Sequence, residues 1–542
     1  MKKRQHYIPP EKNHSAVKIQ DNVTFMAFLN KYLTNKVTFI FIGCVLILLT
    51  RLPQFFGEML FPDGDECIVG LMAKHILDGK GFPLFVYGAP YGFAVFETVP
   101  AALFYKIFGV SAVTLKAAIL CLWTTGWIFF VLTLWRLENR RIALIGGILL
   151  LFAPGWGAMS LKAWGTHITA FTAMNLSLWM LADIYRSKDD CKKTAVLSGF
   201  SLAIVILSNP IWLFAVLPFV ALLLYERRKM SDIVFMALGT FGLAIIILLA
   251  KLVSGGIEHH WVPLIFTDWN ILEAIKLLPE RVWVAMSGAY FLIDKLDAGK
   301  GTFLATGIWT ITSLLFLGWS AAGLFRKDPA SFLIRGFIGV VFTILAVSIF
   351  INNEVFGYRY FLPLISAFIA LIAVGIDRLW NQRQIAKISA QILLCLLIFT
   401  GAVSLSEFRH LSSSVMPPEA KVGEAKAIET LTGYLSIQGI NSVYSFDRML
   451  HWQIMFASKE NIKARWFHPS DRYPEYPRAV DKAFASNNKV ALIGYSDQMA
   501  SLAKYLVKRE TFPRVEESDG WYVIIYDPDR ALLEEIGFVL NK

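Results

Sequence analysis

The stretch Pro62-Asp63-Gly64-Asp65-Glu66 places three carboxylates directly after the first long apolar run, at about 34–52, and just before a helical pattern that starts near Ile68. Acidic groups at the boundary between hydrocarbon and lipid headgroups are costly unless the protein uses them. The local sequence therefore predicts a functional site at a membrane surface.

The rest of the chain supports this membrane setting. Of its 542 residues, 56% are hydrophobic and only 17% are charged, and apolar runs of about 17 to 25 residues recur, long enough to cross a bilayer core. The net charge of +11 does not indicate nucleic-acid binding, because the basic residues form short clusters between apolar runs, where the positive-inside rule explains them. The composition predicts a polytopic α-helical membrane protein.

Apolar length predicts about eleven membrane spans. They lie at about 34–52, 110–136, 141–159, 165–184, 195–209, 211–226, 232–254, 302–325, 331–352, 359–380 and 386–406. The ambiguous segment is 90–108, which is apolar but carries Glu97 and Pro100. If this segment is a juxtamembrane helix, all five strongly basic connections become cytoplasmic, as the positive-inside rule requires. We therefore expect a cytoplasmic tail at 1–33 and a membrane catalytic domain at 34–408, with outer loops at 53–109 and 255–301.

The composition changes after a Ser- and Pro-containing linker at 409–418. Strand-like runs at 442–446, 489–495 and 521–526 alternate with helical patterns, which predicts a small extracytoplasmic α/β domain over 419–542. No glycine-rich phosphate fingerprint follows these strands, and the five cysteines contain no CxxC pair. A nucleotide site and a structural zinc site are therefore not expected.

Asp63 and Glu66 have the spacing of a capping box at the start of a helix. This structural role leaves Asp65 unexplained, so Asp65 is the first candidate for a general base that accepts a proton from an acceptor hydroxyl, and Glu66 is the second. Pure capping remains the alternative for all three acids. Asp63 is also a candidate substrate contact and, together with Asp65, could ligate Mg²⁺ or Mn²⁺.

Two further groups of residues are candidate substrate contacts on the outer face. Lys162 could pair with a phosphate and His167 could donate to it, although Lys162 beside Trp164 is also typical of a snorkelling lysine in an aromatic belt. In the long loop, His259 and His260 favour substrate contact over zinc, because adjacent histidines rarely bind one metal.

Arg359 lies between Tyr358 and Tyr360 at the predicted outer end of a span. The guanidinium could hold a lipid phosphate through two hydrogen bonds, with the two tyrosines as further substrate contacts. The alternative is an interfacial arginine flanked by belt tyrosines.

Together these features resemble the GT-C glycosyltransferases, with protein O-mannosyltransferases and lipid A aminoarabinose transferases as the nearest types. The resemblance is carried by the acidic pair Asp65-Glu66, the sequence AKHILDGKGFP at 73–83, a juxtamembrane helix ending at Phe108-Gly109, and RYFLPL at 359–364. It implies an inverting transfer of a sugar from a polyprenyl phosphate, with Asp65 acting on the acceptor and basic residues holding the departing phosphate. Many relatives carry a second acid in the next outer loop, whereas Trp164-Gly165-Thr166-His167 has none; metal dependence stays open.

The sequence thus predicts a glycosyltransferase of the bacterial inner membrane that uses a polyprenyl-phosphate sugar donor and a lipid, glycan or protein acceptor at the outer face. No cofactor other than a possible divalent cation is expected. The alternatives are a polymerase or ligase of lipid-linked polysaccharides, a transporter, and a non-catalytic receptor. A transporter would be expected to carry ionisable groups at mid-membrane depth, and the predicted spans are nearly free of them.

Overall fold

The computed structural model of the protein describes twelve stretches of the chain. They are 35–57, 60–89, 92–227, 229–253, 271–287, 300–324, 331–350, 358–407, 424–468, 471–508, 514–518 and 521–540. The predicted contacts His259 and His260 and the predicted linker at 409–418 lie outside these stretches. The side chains of Tyr358 and Arg359 are not described either.

The first two thirds of the described chain are helical. Helix α1 (Lys36–Arg51) belongs for most of its length to a separate compact unit that ends at Leu48. The second unit begins at Leu49, and its first complete element is the 3₁₀ helix Leu52–Phe56. The helices that follow are α2 (Gly64–Leu77), α3 (Val95–Phe108), α4 (Ala112–Leu137), α5 (Arg140–Phe152), α6 (Pro154–Met159), α7 (His167–Arg186), α8 (Lys192–Ser208), α9 (Leu217–Arg227), α10 (Met230–Val253), α11 (Ile271–Ser287), α12 (Lys300–Gly323), α13 (Phe332–Phe350), α14 (Leu362–Trp380) and α15 (Gln384–Glu407).

Seven helices in the described residues are long and apolar enough to cross a membrane, namely α1 with the 3₁₀ turn after it, α4, α10, α12, α13, α14 and α15. The other four predicted spans correspond to α5 with α6, α7, α8, and the 3₁₀ helix Pro210–Ala215 with α9. Pro154 separates α5 from α6, as expected of a residue that cannot donate to the preceding helical turn. The chain is an integral membrane protein, and the predicted helical fold class is confirmed.

Helix α3 corresponds to the ambiguous segment at 90–108. Its 14 residues extend about 21 Å at the usual rise of about 1.5 Å per residue, short of the roughly 30 Å hydrocarbon core. Pro100 lies inside the helix. This length agrees with the predicted juxtamembrane helix.

The C-terminal α/β domain (424–540) contains one five-stranded sheet. Its elements are α16 (Glu424–Ile437), β1 (Ser442–Ser445), α17 (Leu450–Ala457), β2 (Lys463–Arg465), α18 (Glu475–Ala485), β3 (Val490–Tyr495), α19 (Ser496–Lys508), β4 (Val515–Ser518), β5 (Tyr522–Tyr526) and α20 (Arg530–Glu535). The strand order is β2-β1-β3-β5-β4, in which β1 runs parallel to β2 and β3 while β5 runs antiparallel to β3 and β4. The three predicted strands are confirmed as β1, β3 and β5; the short strands β2 and β4 were not predicted.

Helix α2 is the element on which this domain packs. A side chain at Gly64 would begin 2.7 Å from Met449 Sδ, and one at Gly70 would begin 2.4 Å from the Phe456 ring. Both distances are shorter than any van der Waals contact, so these two positions allow α17 and the turn before it to lie directly on α2. The helix that carries the acidic stretch is therefore covered by the C-terminal domain.

Candidate active site

Helix α2 starts with the predicted capping box. Asp63 is the N-cap, its Oδ1 accepts from the backbone N–H of Glu66 at 3.0 Å, and Glu66 Oε2 accepts from the backbone N–H of Asp63 at 3.2 Å. Reciprocal bonds of this kind satisfy donors that the first helical turn leaves open. The capping function inferred from the spacing is present.

Asp63 and Glu66 also belong to a buried cluster of four charges. Lys116 Nζ lies 2.5 Å from Glu66 Oε1, and Lys162 Nζ lies 3.2 Å from Glu66 Oε2 and 3.0 Å from Asp63 Oδ2. All four residues are buried. The two lysines balance the two carboxylates, which is how buried charges are normally tolerated. Lys162 is therefore a buried partner of Asp63 and Glu66 in this structure.

Further donors complete this cluster. The Trp164 indole donates to Asp63 Oδ2 at 2.9 Å, and the backbone N–H of Ala163 donates to Glu66 Oε1 at 3.1 Å. Burial acts to raise the pKa of Asp63, but the positive charge of Lys162 and these hydrogen bonds outweigh it and lower that pKa below its ordinary value. The geometry favours a structural role for Asp63 and Glu66.

Asp65 has a different environment. Its side chain is 32% exposed, and Oδ1 accepts from the Arg472 guanidinium of the C-terminal domain at 3.0 Å. The pair is partly solvated, and such pairs contribute only about 0–1 kcal/mol to stability. Asp65 is thus the acid of this stretch that a substrate could reach after a small movement of one arginine.

Arg472 also borders a cavity of about 630 Å³, formed by the loop at 80–89 and by residues 472–478 of the C-terminal domain, which we call the basic cavity. Its charged lining residues are Lys80, Lys251, Arg472, Arg478 and Glu475. Four cations against one carboxylate favour an anionic ligand. Lys251 comes from the last turn of the predicted span α10, so the cavity connects to the membrane-spanning part.

Glu97 is a buried acid near the cluster that sequence reasoning did not assign to the site. It lies in the first turn of α3 and accepts from the backbone N–H of Gly165 at 2.7 Å and from the Thr169 hydroxyl at 3.2 Å. Burial raises its pKa to about 7, although both hydrogen bonds act in the opposite direction. The sequence feature that could have indicated a role for Glu97 is a carboxylate within the otherwise apolar segment at 90–108.

His167 begins α7 and is buried. Its Nδ1 lies 3.4 Å from the Trp212 indole nitrogen, and its ring lies 5.6 Å from that of Tyr360. The ring of Trp164 lies 6.1 Å away. The structure therefore brings His167 and Tyr360 together in an aromatic environment, next to the loop that supplies Lys162.

A second buried charge cluster, which we call the Glu460 cluster, connects α2 to the C-terminal domain. Glu460 is buried and lies 2.8 Å from Lys74 Nζ, 2.9 Å from Lys80 Nζ and 3.1 Å from His75 Nε2. The Tyr476 hydroxyl donates to the same carboxylate at 3.0 Å. Burial acts to raise the pKa of Glu460, but these donors lower it far below its ordinary value. The cluster fixes the domain against the helix that carries Asp65.

The described residues contain no group of three or more His, Cys, Asp or Glu side chains placed to hold a metal ion. Both Asp63 oxygens already accept hydrogen bonds, Oδ1 from Glu66 and Oδ2 from Lys162 and Trp164, while Asp65 Oδ1 accepts from Arg472. The Mg²⁺ or Mn²⁺ site considered for Asp63 and Asp65 stays a prediction.

No family model matches the chain, and no curated protein matches its sequence. Solved structures are nevertheless similar. ArnT from Cupriavidus metallidurans bound to undecaprenyl phosphate has 13% identity and a TM-score of 0.61, over 91% of this chain and 98% of that one. The apo form has 13% identity and a TM-score of 0.59 over 92% and 98%.

The oligosaccharyltransferase AglB from Archaeoglobus fulgidus, in complex with an inhibitory peptide and a dolichol-phosphate, has 14% identity and a TM-score of 0.52, over 88% of this chain and 71% of that one. ArnT and AglB are both members of the GT-C superfamily. The chain therefore has the GT-C fold, as the resemblance in its sequence indicated.

Proposed function

We propose that the protein is an inverting glycosyltransferase that moves a sugar from a polyprenyl phosphate to an acceptor hydroxyl at the outer face of a bacterial inner membrane. The fold supports the class, because similar structures include transferases solved with undecaprenyl phosphate and dolichol-phosphate. A shared fold does not by itself define an activity. The proposal therefore depends on the site.

The observation that supports the proposal is that the three acids of the acidic stretch have different environments. Asp63 and Glu66 are buried and neutralised by Lys116 and Lys162, whereas Asp65 is partly exposed next to the basic cavity. A general base must reach the proton that it accepts. Of the three acids, Asp65 alone meets that requirement in this arrangement.

In the proposed reaction the acceptor hydroxyl oxygen attacks the anomeric carbon, and the bond between that carbon and the phosphate oxygen breaks. The Asp65 carboxylate takes the hydroxyl proton, and the polyprenyl phosphate leaves as an anion. A phosphate leaving group needs no acid to protonate it, but nearby cations stabilise the charge it gains. Arg478 and Lys251 in the basic cavity are suited to that role, and Lys80 can contribute while it stays paired with Glu460.

Arg472 must release Asp65 before the base can act. Because the pair is partly exposed on both sides, breaking it costs about 1 kcal/mol or less. The freed guanidinium remains at the border of the basic cavity, where it can help to hold the phosphate. Arg472 can thus pair first with the Asp65 carboxylate and then with the departing phosphate.

The test uses the purified protein in lipid nanodiscs, supplied with lipid-linked sugars extracted from membranes of the source organism, and measures release of free polyprenyl phosphate by mass spectrometry. We expect Asp65→Asn to lower release at least about 100-fold, the usual contribution of a general base. The matched control is Asp78→Asn. Asp78 caps the C-terminus of the same helix, pairs with Lys74, and is 31% exposed against 32% for Asp65.

Wild-type release by Asp65→Asn would remove this residue from the mechanism. An equal loss in Asp78→Asn would show that the helix, and not the base, is responsible. Absence of release by the wild-type protein from any extracted lipid would overturn the proposed function itself.

A further inference from the structure

We propose that a second cavity, on the C-terminal domain, is the acceptor subsite and that it binds a neutral carbohydrate. Its volume is about 400 Å³, and we call it the indole cavity because Trp452 and Trp466 line it. The proposal rests on the proposed function, since it supplies the hydroxyl on which Asp65 would act. It assigns an acceptor class that the fold leaves open.

The position of the indole cavity fits that role. Arg472 borders both this cavity and the basic cavity, and it is the partner of Asp65 at 3.0 Å. Met449, another lining residue, packs against Gly64 at the start of α2, one residue before Asp65. Asp65 itself lines neither cavity, but its partner Arg472 borders both, so the candidate base lies one side chain away from each, close enough for a transfer between two bound substrates.

The lining chemistry suits a sugar. Trp452 is buried, whereas Trp466 is partly exposed and offers an apolar indole face with negative π density, against which the polarised C–H groups of a sugar ring can pack. His451, Asp471 and Arg448 add groups that can donate to or accept from ring hydroxyls. Five of the eight lining residues are polar or charged, so the cavity combines an apolar surface with many groups that can form hydrogen bonds to a sugar.

His451 provides the observation that points to a ligand. Its side chain is buried, with 1% exposure, and Nε2 lies 2.8 Å from Asp471 Oδ2. Within the described part of the chain, Nδ1 has no hydrogen-bond partner. Buried polar atoms are rarely left unsatisfied, so Nδ1 of this cavity-lining residue is expected to meet a ligand or an ordered water.

Charge separates this cavity from the basic one. Among its lining residues, Arg448 and Arg472 contribute two positive charges and Asp471 contributes one negative charge. The excess is one cation with neutral histidines, compared with three in the basic cavity. A neutral, hydroxyl-rich ligand therefore fits the indole cavity better than a phosphate does.

The test measures saturation-transfer NMR from nanodisc-embedded protein to two probes, namely oligosaccharides released by mild acid from the cell surface of the source organism and a Gly-Ser-Thr peptide. We expect transfer to the oligosaccharides and little to the peptide. Trp466→Ala should reduce the oligosaccharide signal at least fivefold, and Trp466→Phe should restore part of it. Trp521→Ala, a partly buried tryptophan of the same domain that does not line the cavity, should leave it unchanged.

Transfer only to the peptide, no transfer to the oligosaccharides, or equal oligosaccharide signals in wild type and Trp466→Ala would each overturn the carbohydrate assignment. The same preparations are assayed for polyprenyl-phosphate release without added acceptor, with water as the acceptor. If Trp466→Ala keeps this release while losing the NMR signal, the acceptor role is supported. If the wild type releases none even when the oligosaccharides are added as acceptor, the proposed function fails, and the NMR result still decides whether the cavity binds sugar.

Discussion

Replacing Lys162 tests whether the buried charge cluster is structural or binds substrate phosphate. Lys162 Nζ contacts both Asp63 Oδ2 and Glu66 Oε2 and is completely shielded from solvent. Methionine has a similar length and no charge, so Lys162→Met removes one cation while largely preserving the packing. The cluster of two carboxylates and two lysines then carries one uncompensated negative charge.

The expected cost follows from which groups lose a partner. Glu66 keeps Lys116 and the Ala163 N–H, whereas Asp63 keeps only the Trp164 indole and the backbone N–H of Glu66. Removing one partner of a buried ion pair typically destabilises by about 3–5 kcal/mol, because the remaining charge stays buried. Adding Asp63→Asn should recover at least half of this loss, since it restores the charge balance.

The assay is thermal unfolding in detergent, followed by the loss of the monodisperse peak in size-exclusion chromatography. Lys188→Met, at an exposed position, is the control for removing a lysine from the surface. A shift for Lys162→Met no larger than that of Lys188→Met, or no recovery in the double variant, would refute the structural role. Normal stability of Lys162→Met combined with lost binding of undecaprenyl phosphate would also refute the structural role. That result would support the phosphate contact that the sequence analysis considered for Lys162.

Three further predictions concern Glu97, Glu460 and topology. The pKa of Glu97 is raised from 4.5 to about 7, so its contribution to folding stability is present below about pH 4.5 and is lost as the pH rises through 7, by roughly 3 kcal/mol. Glu97→Gln should therefore flatten the dependence of the unfolding free energy on pH between pH 5 and 8. Parallel pH profiles for the variant and the wild type would contradict this. The pKa of Glu460 is lowered, so its contribution to folding stability is present at neutral pH and lost on acidification. Glu460→Gln should speed hydrogen exchange in α2 and α17 at pH 7. Unchanged exchange would show that the Glu460 cluster does not hold the domain. Lys482→Cys should react with an impermeant maleimide in intact cells and Lys188→Cys only after permeabilisation; the reverse pattern would invert the proposed topology.

The sequence was sufficient to predict those parts of the structure that depend on contacts between neighbouring residues. The apolar runs predicted helices, because hydrocarbon admits only segments that satisfy their own backbone hydrogen bonds. The Asp63 and Glu66 spacing predicted the capping box, since both bonds form within one helical turn. Strand-like runs predicted β1, β3 and β5, whereas β2 (Lys-Ala-Arg) and β4 (Val-Glu-Glu-Ser) are short and polar and give no such signal.

Contacts between distant positions could not be predicted in this way. Lys116 reaches Glu66 across 50 residues, and Arg472 reaches Asp65 across 407. The sequence showed Lys116 near the end of a span and Arg472 in a soluble domain, and nothing in either local pattern indicates a partner. The roles of Lys162 and Glu66 were ambiguous for the same reason, because snorkelling, phosphate binding and buried pairing all use the same residue types.

The long-range contacts explain why one acidic stretch can serve both stability and chemistry. Asp63 and Glu66 hold the start of α2 by pairing with lysines from the membrane-spanning part, and the Glu460 cluster holds the same helix from the C-terminal domain. The helix is thus fixed from both sides while Asp65, between the two buried acids, keeps only a weak partner. Rigid support of a reactive group by its neighbours is a general requirement for positioning a base within hydrogen-bond reach of its substrate. We therefore expect substitutions at Asp63, Glu66 and Glu460 to lower stability and activity together, and substitution of Asp65 to lower activity alone.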